Sequence, residues 1–147
     1  MSIDDDVALL SRIPTLKLLG PDALRVLAIG AEQKDYARGS VLFRLGEQAD
    51  CGYVVQSGSF HLSVGDHDRR DITARKGTLI GEMALVVPVE RTATATALEY
   101  STAIRIARSM FQRVLESDPD AAVRLRDELA ARAGQIASDL TRLTAKF

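Results

Sequence analysis

The segment Gly81-Glu82-Met83-Ala84-Leu85, with Arg91-Thr92-Ala93 shortly after it, gathers a carboxylate, a guanidinium and several small residues into positions 81–93. An arginine stays charged at any relevant pH, and its planar fork can meet two oxygens of one anion. A glycine entering a short helical turn leaves backbone N–H groups free and lets an anionic group approach closely. Ala84 and Ala93 keep the surrounding wall low. Glu82 is an acceptor for a hydroxyl, and repulsion from the anion held by Arg91 should place it on the other side of the turn. A phosphodiester beside a sugar hydroxyl poses this set of needs. The simpler alternative, a surface ion pair between Glu82 and Arg91, would be worth little. The loop length and the small residues after the arginine favour the pocket.

The same run resembles the phosphate-binding cassette of the cyclic nucleotide-binding domain family, in which Gly-Glu-(Leu/Met)-Ala is followed by a short loop and Arg-(Ala/Ser/Thr)-Ala. Its closest pattern is that of bacterial cyclic-nucleotide-gated channel-type domains. The resemblance extends from about Leu18 through the helical C-terminus. It implies a cyclic nucleotide ligand, cyclic AMP and/or cyclic GMP, held by Gly81, Glu82, Met83, Ala84, Arg91, Thr92 and Ala93. Leu62 and Ile72 fall where the family lines its purine pocket with aliphatic side chains, although any strand-core residue would fit there. Arg132 falls where channel-type relatives place a cation over the purine; a surface pair with Glu128 one helical turn away is the competing reading. Thr92 resembles the cyclic GMP-preferring pattern, yet bacterial relatives with Ser or Thr there often take cyclic AMP, so it does not discriminate.

Other reactive side chains are few. His61 and His67 are the two histidines, and neither has neighbours at metal-ligand spacing. The single cysteine, Cys51, stands beside Asp50 without an electropositive sequence setting and is expected to be packed. No metal, cofactor or catalytic constellation is expected.

These residues must be positioned by a chain of 147 residues, 46% hydrophobic and 27% charged, with net charge −1. That is one domain with a real core and no global field favouring nucleic acid or an anionic membrane. The acidic start Asp4-Asp5-Asp6 is unlike a signal peptide, and with one cysteine it points to the cytoplasm. Residues 1–32 read as N-terminal helices: one over Asp4–Leu10, a break at Pro14, and a second beginning at Pro21 and closing near Gly30. Residues 33–107 read as a β-sandwich containing the 81–93 cassette. Strands are predicted near 41–45, 52–57, 59–64, 69–75, 78–80, 92–98 and 101–107, with an extra strand near 34–37. Gly58 is expected in a tight hairpin, Gly65–Asp68 in a turn, and Pro88 should keep 82–90 out of strand. Residues 108–147 read as C-terminal helices. Ser109 and Gln112 form a capping-box signature, and Asp118-Pro119 opens the last helix. The fold class is therefore mainly β with flanking α, an antiparallel jelly roll (double-stranded β-helix) with N-terminal helices and a C-terminal helical lid.

The stripe Leu129, Ala133, Ile136, Leu140, Leu143 and Phe147 has an a/d rhythm. It would serve a homodimer through the last helix, or an amphipathic helix folded back on its own sandwich. The functional expectation is a stand-alone, non-enzymatic cyclic nucleotide sensor acting on an unknown effector, with neither nucleic acid nor membrane as partner. A cupin enzyme on the same scaffold would need clustered His and Glu. A catabolite-activator-type regulator would need a recognition helix, for which no room is expected before Phe147. The remaining alternatives are a nucleotide-independent protein-interaction module and the sensor fragment of a longer regulator.

Overall fold

Alternation of apolar and polar residues splits the β-rich middle of the chain between two faces, and helices cover one of them. The computed structural model describes residues 2–64 and 71–131. Three helices come first: α1 (Ile3–Leu10), α2 (Pro14–Lys17) and α3 (Pro21–Gly30). Ser2 caps α1 by accepting from the Asp5 N–H at 3.1 Å, and three aspartates occupy its first turn, where the macrodipole favours them. Pro14 and Pro21 each stand at a first helical position, so Pro14 starts a short helix as well as ending the previous segment.

The strands are β1 (Glu32–Tyr36), β2 (Val41–Phe43), β3 (Gln48–Ala49), β4 (Cys51–Ser57), β5 (Ser59–Ser63), β6 (Ile72–Arg75), β7 (Leu79–Ile80), β8 (Val89–Glu90), β9 (Thr94–Ala97) and β10 (Ser101–Ala107). They form antiparallel sheets in the order β1-β10-β4-β7 and β2-β9-β5-β6, with β3 and β8 as a separate pair. This is the jelly roll. Every predicted strand that falls on described residues is present. The pair β3/β8 is the addition, and it corrects the expectation that Pro88 keeps 82–90 free of strand. Pro88 precedes β8 and leaves the ladder donors of Val89 and Glu90 intact. The turn at Gly65–Asp68 and His67 lie outside the described residues.

Gly58 does not close a hairpin. β4 pairs with β10 and β7, whereas β5 pairs with β9 and β6, so the chain crosses from one sheet to the other at this residue. Gly58 sits at φ +79°, and a Cβ there would collide with Ser101. The Ser101 hydroxyl in turn accepts from the Ser59 N–H at 3.0 Å, which fixes the corner.

Two cores meet across β4. Val54, with Ile104 and Ile106 of β10, faces the helices and packs among Leu10, Leu16, Leu27 and Phe111. Tyr53 and Val55 face the sandwich interior with Phe43, Phe60, Ala95 and Ala103. Burial on both faces explains why Cys51–Val55 of β4 do not alternate with polar residues.

The helix α4 (Arg108–Ser117) follows β10 without a break, and α5 spans 119–131, the end of the described residues. Ser109 is not its cap. Ala107 holds the N-cap position, with no side-chain cap bond, because β10 runs directly into the helix and the Arg108 N–H is taken by the Asp50 carbonyl at 2.8 Å. Asp118 does cap α5, accepting from the Ala121 N–H at 3.2 Å. Ala121 and Leu125 are buried, and Leu129 packs against the same helix-side core, so this part of the helix folds back on its own sandwich. The remainder of the a/d stripe, from Ala133 to Phe147, lies outside the described residues.

Candidate functional site

Strand β7 ends where Gly81, at φ +79°, turns the chain into a short 3-10 turn over Glu82–Leu85. Only glycine takes that dihedral without strain. A Cβ on Gly81 would also stand 2.5 Å from Nη1 of Arg91, so the missing side chain is a spatial requirement as well as a conformational one. Ala84 and Leu85 are buried and anchor the turn, while Glu82 is half-buried and Met83 exposed at its start. The first N–H groups of such a turn have no carbonyl within it to bond.

Arg91 is held from both sides of its peptide. Its N–H donates to the Glu47 carbonyl at 2.7 Å, and its own carbonyl accepts from the Gly46 N–H at 2.8 Å. These bonds extend the β3/β8 ladder by one residue pair. The loop beneath is tied in turn, since the Arg44 N–H donates to Glu47 Oε1 at 2.6 Å and the Leu45 N–H to Thr94 Oγ1 at 2.9 Å.

The guanidinium belongs to a residue that is only 7% exposed. It lies 4.2 Å from the centroid of the Phe43 ring and 5.7 Å from that of Tyr53, a cation–π arrangement. Burial, then the neighbouring Cys51 thiol, pushes the Tyr53 phenol well above its ordinary range, so that ring is neutral. Nη2 donates to the Cys51 carbonyl at 2.9 Å and to Cys51 Sγ at 3.3 Å. Nη1 is buried and makes no hydrogen bond. Among the described residues no carboxylate forms an ion pair with Arg91. A buried charged donor left unpaired costs about 1–3 kcal/mol or more, a cost that an anion at Nη1 would remove. Cys51 is packed, at 2% exposure. Its setting is nevertheless electropositive, because the fold brings Arg91 onto its sulfur from forty positions away; neighbouring residues in sequence gave no sign of it.

A cavity of about 400 Å³ opens over this point. Gly81, Glu82, Met83, Ala84, Arg91, Thr92, Ala93 and Leu62 all line it. Phe43, Ala49, Leu79, Ile80 and Val89 complete the apolar wall, and Glu90 is a second carboxylate in the lining. Ile72 is elsewhere. It pairs with Leu62 across β5/β6, but it is 59% exposed and not part of the lining. Arg132 lies outside the described residues. His61 is engaged with Asp71, Nε2 to Oδ2 at 3.1 Å. Among the described residues no cluster of His, Cys, Asp and Glu could hold a metal, and no helix is long and apolar enough to cross a membrane.

Sequence reasoning missed Arg108. At the first position of α4, its Nη1 donates to the carbonyls of Ala49 at 3.0 Å, Val87 at 3.2 Å and Ala84 at 3.3 Å. One side chain thus joins the start of the C-terminal helices to the turn, the loop after it and the β3 strand. The signal was available: a cation in the first turn of a helix opposes the macrodipole and calls for another partner.

Residues 33–118 match the family model of the cyclic nucleotide-binding domain. The chain is 29% identical over 113 residues to the HTH-type transcriptional regulator Cmr of Mycobacterium tuberculosis, a match spanning 76% of this chain and 46% of that protein. It is 27% identical over 130 residues to a cyclic nucleotide-gated potassium channel of Mesorhizobium japonicum, spanning 88% of this chain and 36% of the channel. The chain therefore spans less than half the length of these curated relatives. Among solved structures, a cyclic nucleotide-binding-like protein from Brucella abortus is 39% identical with a TM-score of 0.70, covering 77% of this chain and 99% of that one. The N-terminal domain of a transcriptional regulator from Streptomyces coelicolor is 29% identical with a TM-score of 0.81, covering 90% and 94%.

Proposed function

Since the chain belongs to the cyclic nucleotide-binding domain family, we propose that the cavity over Arg91 takes a 3′,5′-cyclic nucleotide, cyclic AMP first, and binds it without turning it over. The observation that carries this reading is the buried Arg91 guanidinium, whose Nη1 has no hydrogen-bond partner and lies against Gly81, beside a cavity that Arg91 and the turn line. The phosphate sits there, with the N–H groups of the turn and of Thr92 and Ala93 around it. Glu82 accepts from the ribose 2′-hydroxyl. The purine lies along Leu62, Phe43 and Val89. A volume of about 400 Å³ falls within the range of small-ligand sites, about 300–1,000 Å³.

The output is regulatory. Arg108 ties the turn and its loop to α4, so a shift of the turn on binding is felt where the C-terminal helices begin. For the ligand to move them, it must contact the closed arrangement better than the open one. Arg132 over the purine is the proposed source of that difference. The effector is a protein partner or a further domain, and the setting is the cytoplasm. Calorimetric titration of nucleotide-free protein with cyclic AMP and with cyclic GMP tests the reading, with the solution afterwards assayed for linear nucleotide. Heat from at least one cyclic nucleotide, and no linear product, is expected. Absence of heat and of any thermal shift at millimolar ligand would overturn the ligand assignment. Appearance of linear nucleotide would overturn the non-enzymatic one.

A further inference from the structure

Counting hydrogens on Arg91 separates its two terminal nitrogens. Each carries two N–H bonds. Nη2 has two acceptors, both on one residue, the Cys51 carbonyl at 2.9 Å and Cys51 Sγ at 3.3 Å. Nη1 has none. The planar end of the guanidinium is therefore not offered whole.

We propose that the Cys51 thiol is a positioning residue that sets the stereochemistry of phosphate recognition, by holding Nη2 back so that Nη1 alone of the two terminal nitrogens meets the ligand. The inference deepens the cyclic nucleotide reading and rests on it. The carbonyl of Cys51 would hold one N–H of Nη2 whatever the side chain. The second N–H has the sulfur as its acceptor, and with an apolar side chain at this position it would be left unpaired in a buried site. The guanidinium would then gain by rotating, within the space bounded by the Phe43 ring, to share that N–H with the phosphate. Gly81 leaves Nη1 the place it holds, since a Cβ there would stand 2.5 Å from that nitrogen. A sulfur acceptor is weak, so it holds Nη2 only because both groups are buried: Cys51 is 2% exposed and Arg91 7%.

A cyclic nucleotide has two exocyclic phosphate oxygens, and they are not equivalent in a chiral site. Replacing either one with sulfur gives two phosphorothioate diastereomers, each weakening the hydrogen bond at one position. If Nη1 is the only terminal nitrogen on the phosphate, one diastereomer loses its charge-assisted bond and the other keeps it. If both nitrogens are engaged, the two losses become alike.

The experiment is calorimetric titration of cyclic AMP and of its two phosphorothioate diastereomers into wild type, Cys51→Ser and Cys51→Val, with melting curves of each protein. Wild type is expected to bind cyclic AMP and to separate the diastereomers by about tenfold or more. Serine still accepts from Nη2 and should preserve that ratio to within about twofold. Valine, similar in size but without an acceptor, should shrink the ratio at least threefold. Should Cys51→Val fail to fold, Cys51→Ala removes the same acceptor and is read the same way. A merely structural role for Cys51 would lower melting temperature or all affinities together and leave the ratio alone. Cyclic AMP binding by wild type with a ratio that is equal in all variants, or with no separation at all, would overturn the role of Cys51 and leave the ligand assignment standing. No cyclic AMP binding by any well-folded protein would overturn both.

Discussion

Arg91 is buried before any ligand arrives, held there by two aromatic rings and by two acceptors on Cys51. Arg91→Ala should weaken cyclic nucleotide binding by roughly ten- to a hundredfold, about 1.5–3 kcal/mol, while changing stability much less. Calorimetry beside a melting curve separates the two effects, and equal affinity in the variant would place the phosphate elsewhere. Glu82→Gln should cost less, since an amide oxygen still accepts from a hydroxyl. Gly81→Ala is the sharper probe of geometry. It forces an L-residue to φ +79°, a cost of about 1–2 kcal/mol, and drives a methyl against Nη1, so both melting temperature and affinity should fall. Tyr53 carries a pH dependence. Its phenol is held protonated by burial first and by Cys51 next, so its folded pKa lies above the ordinary tyrosine value of about 10. The native state then binds the proton more tightly than the unfolded chain, and stability, full below pH ~10, is lost as pH rises beyond it. Urea unfolding across pH 8 to about 11 should show that decline, and Tyr53→Phe should flatten it while keeping the ring under Arg91.

At the scale of elements, the turn over Glu82–Leu85 is coupled to two partners, and they do different work. The β3/β8 pair and the bonds beyond it fix the backbone of Arg91, whereas Arg108 carries the turn and loop to α4. Arg108→Met keeps the aliphatic stem and removes the donors. It should leave three carbonyls seeking other partners and weaken communication more than binding. Amide exchange across 119–131 reports it: nucleotide should slow exchange in wild type, and the slowing should shrink in Arg108→Met although affinity changes by less than about threefold. Unchanged slowing in that variant would show that the signal reaches the helices by another route. The lid itself is tested by comparing Arg132→Ala with Glu128→Ala. A cation over the purine predicts weaker binding in the first alone, by about 0.5–2 kcal/mol. Asp118→Ala removes the α5 cap and should cost about 1 kcal/mol in stability with little effect on the pocket.

On the scale of the whole molecule, a ligand that binds only the folded state adds stability by mass action, about 2.7 kcal/mol at a hundredfold excess over Kd. The melting temperature should rise accordingly with cyclic AMP and not with linear AMP, and Arg91→Ala should shrink the rise at the same ligand concentration. The sandwich and helices that make this possible follow from local patterns. The proline start of α3, the Asp118 cap, the short apolar runs between glycines and the Gly81–Ala93 spacing each depend on a few neighbouring residues, so they were legible in the sequence. The features that escaped it join distant positions. Cys51 and Arg91, Gly58 and Ser101, Arg108 and the carbonyls of Ala49, Ala84 and Val87 meet only because the sheets bring them together. Ile72 was drawn to the pocket by the family resemblance at its position, and the pairing of β6 at a sheet edge leaves it exposed instead. Local sequence determined which side chains could hold a phosphodiester, because turn geometry, charge and residue size are local properties. The tertiary structure alone decided which nitrogen of Arg91 is left for it, because that depends on the partners that burial assigns to every other donor.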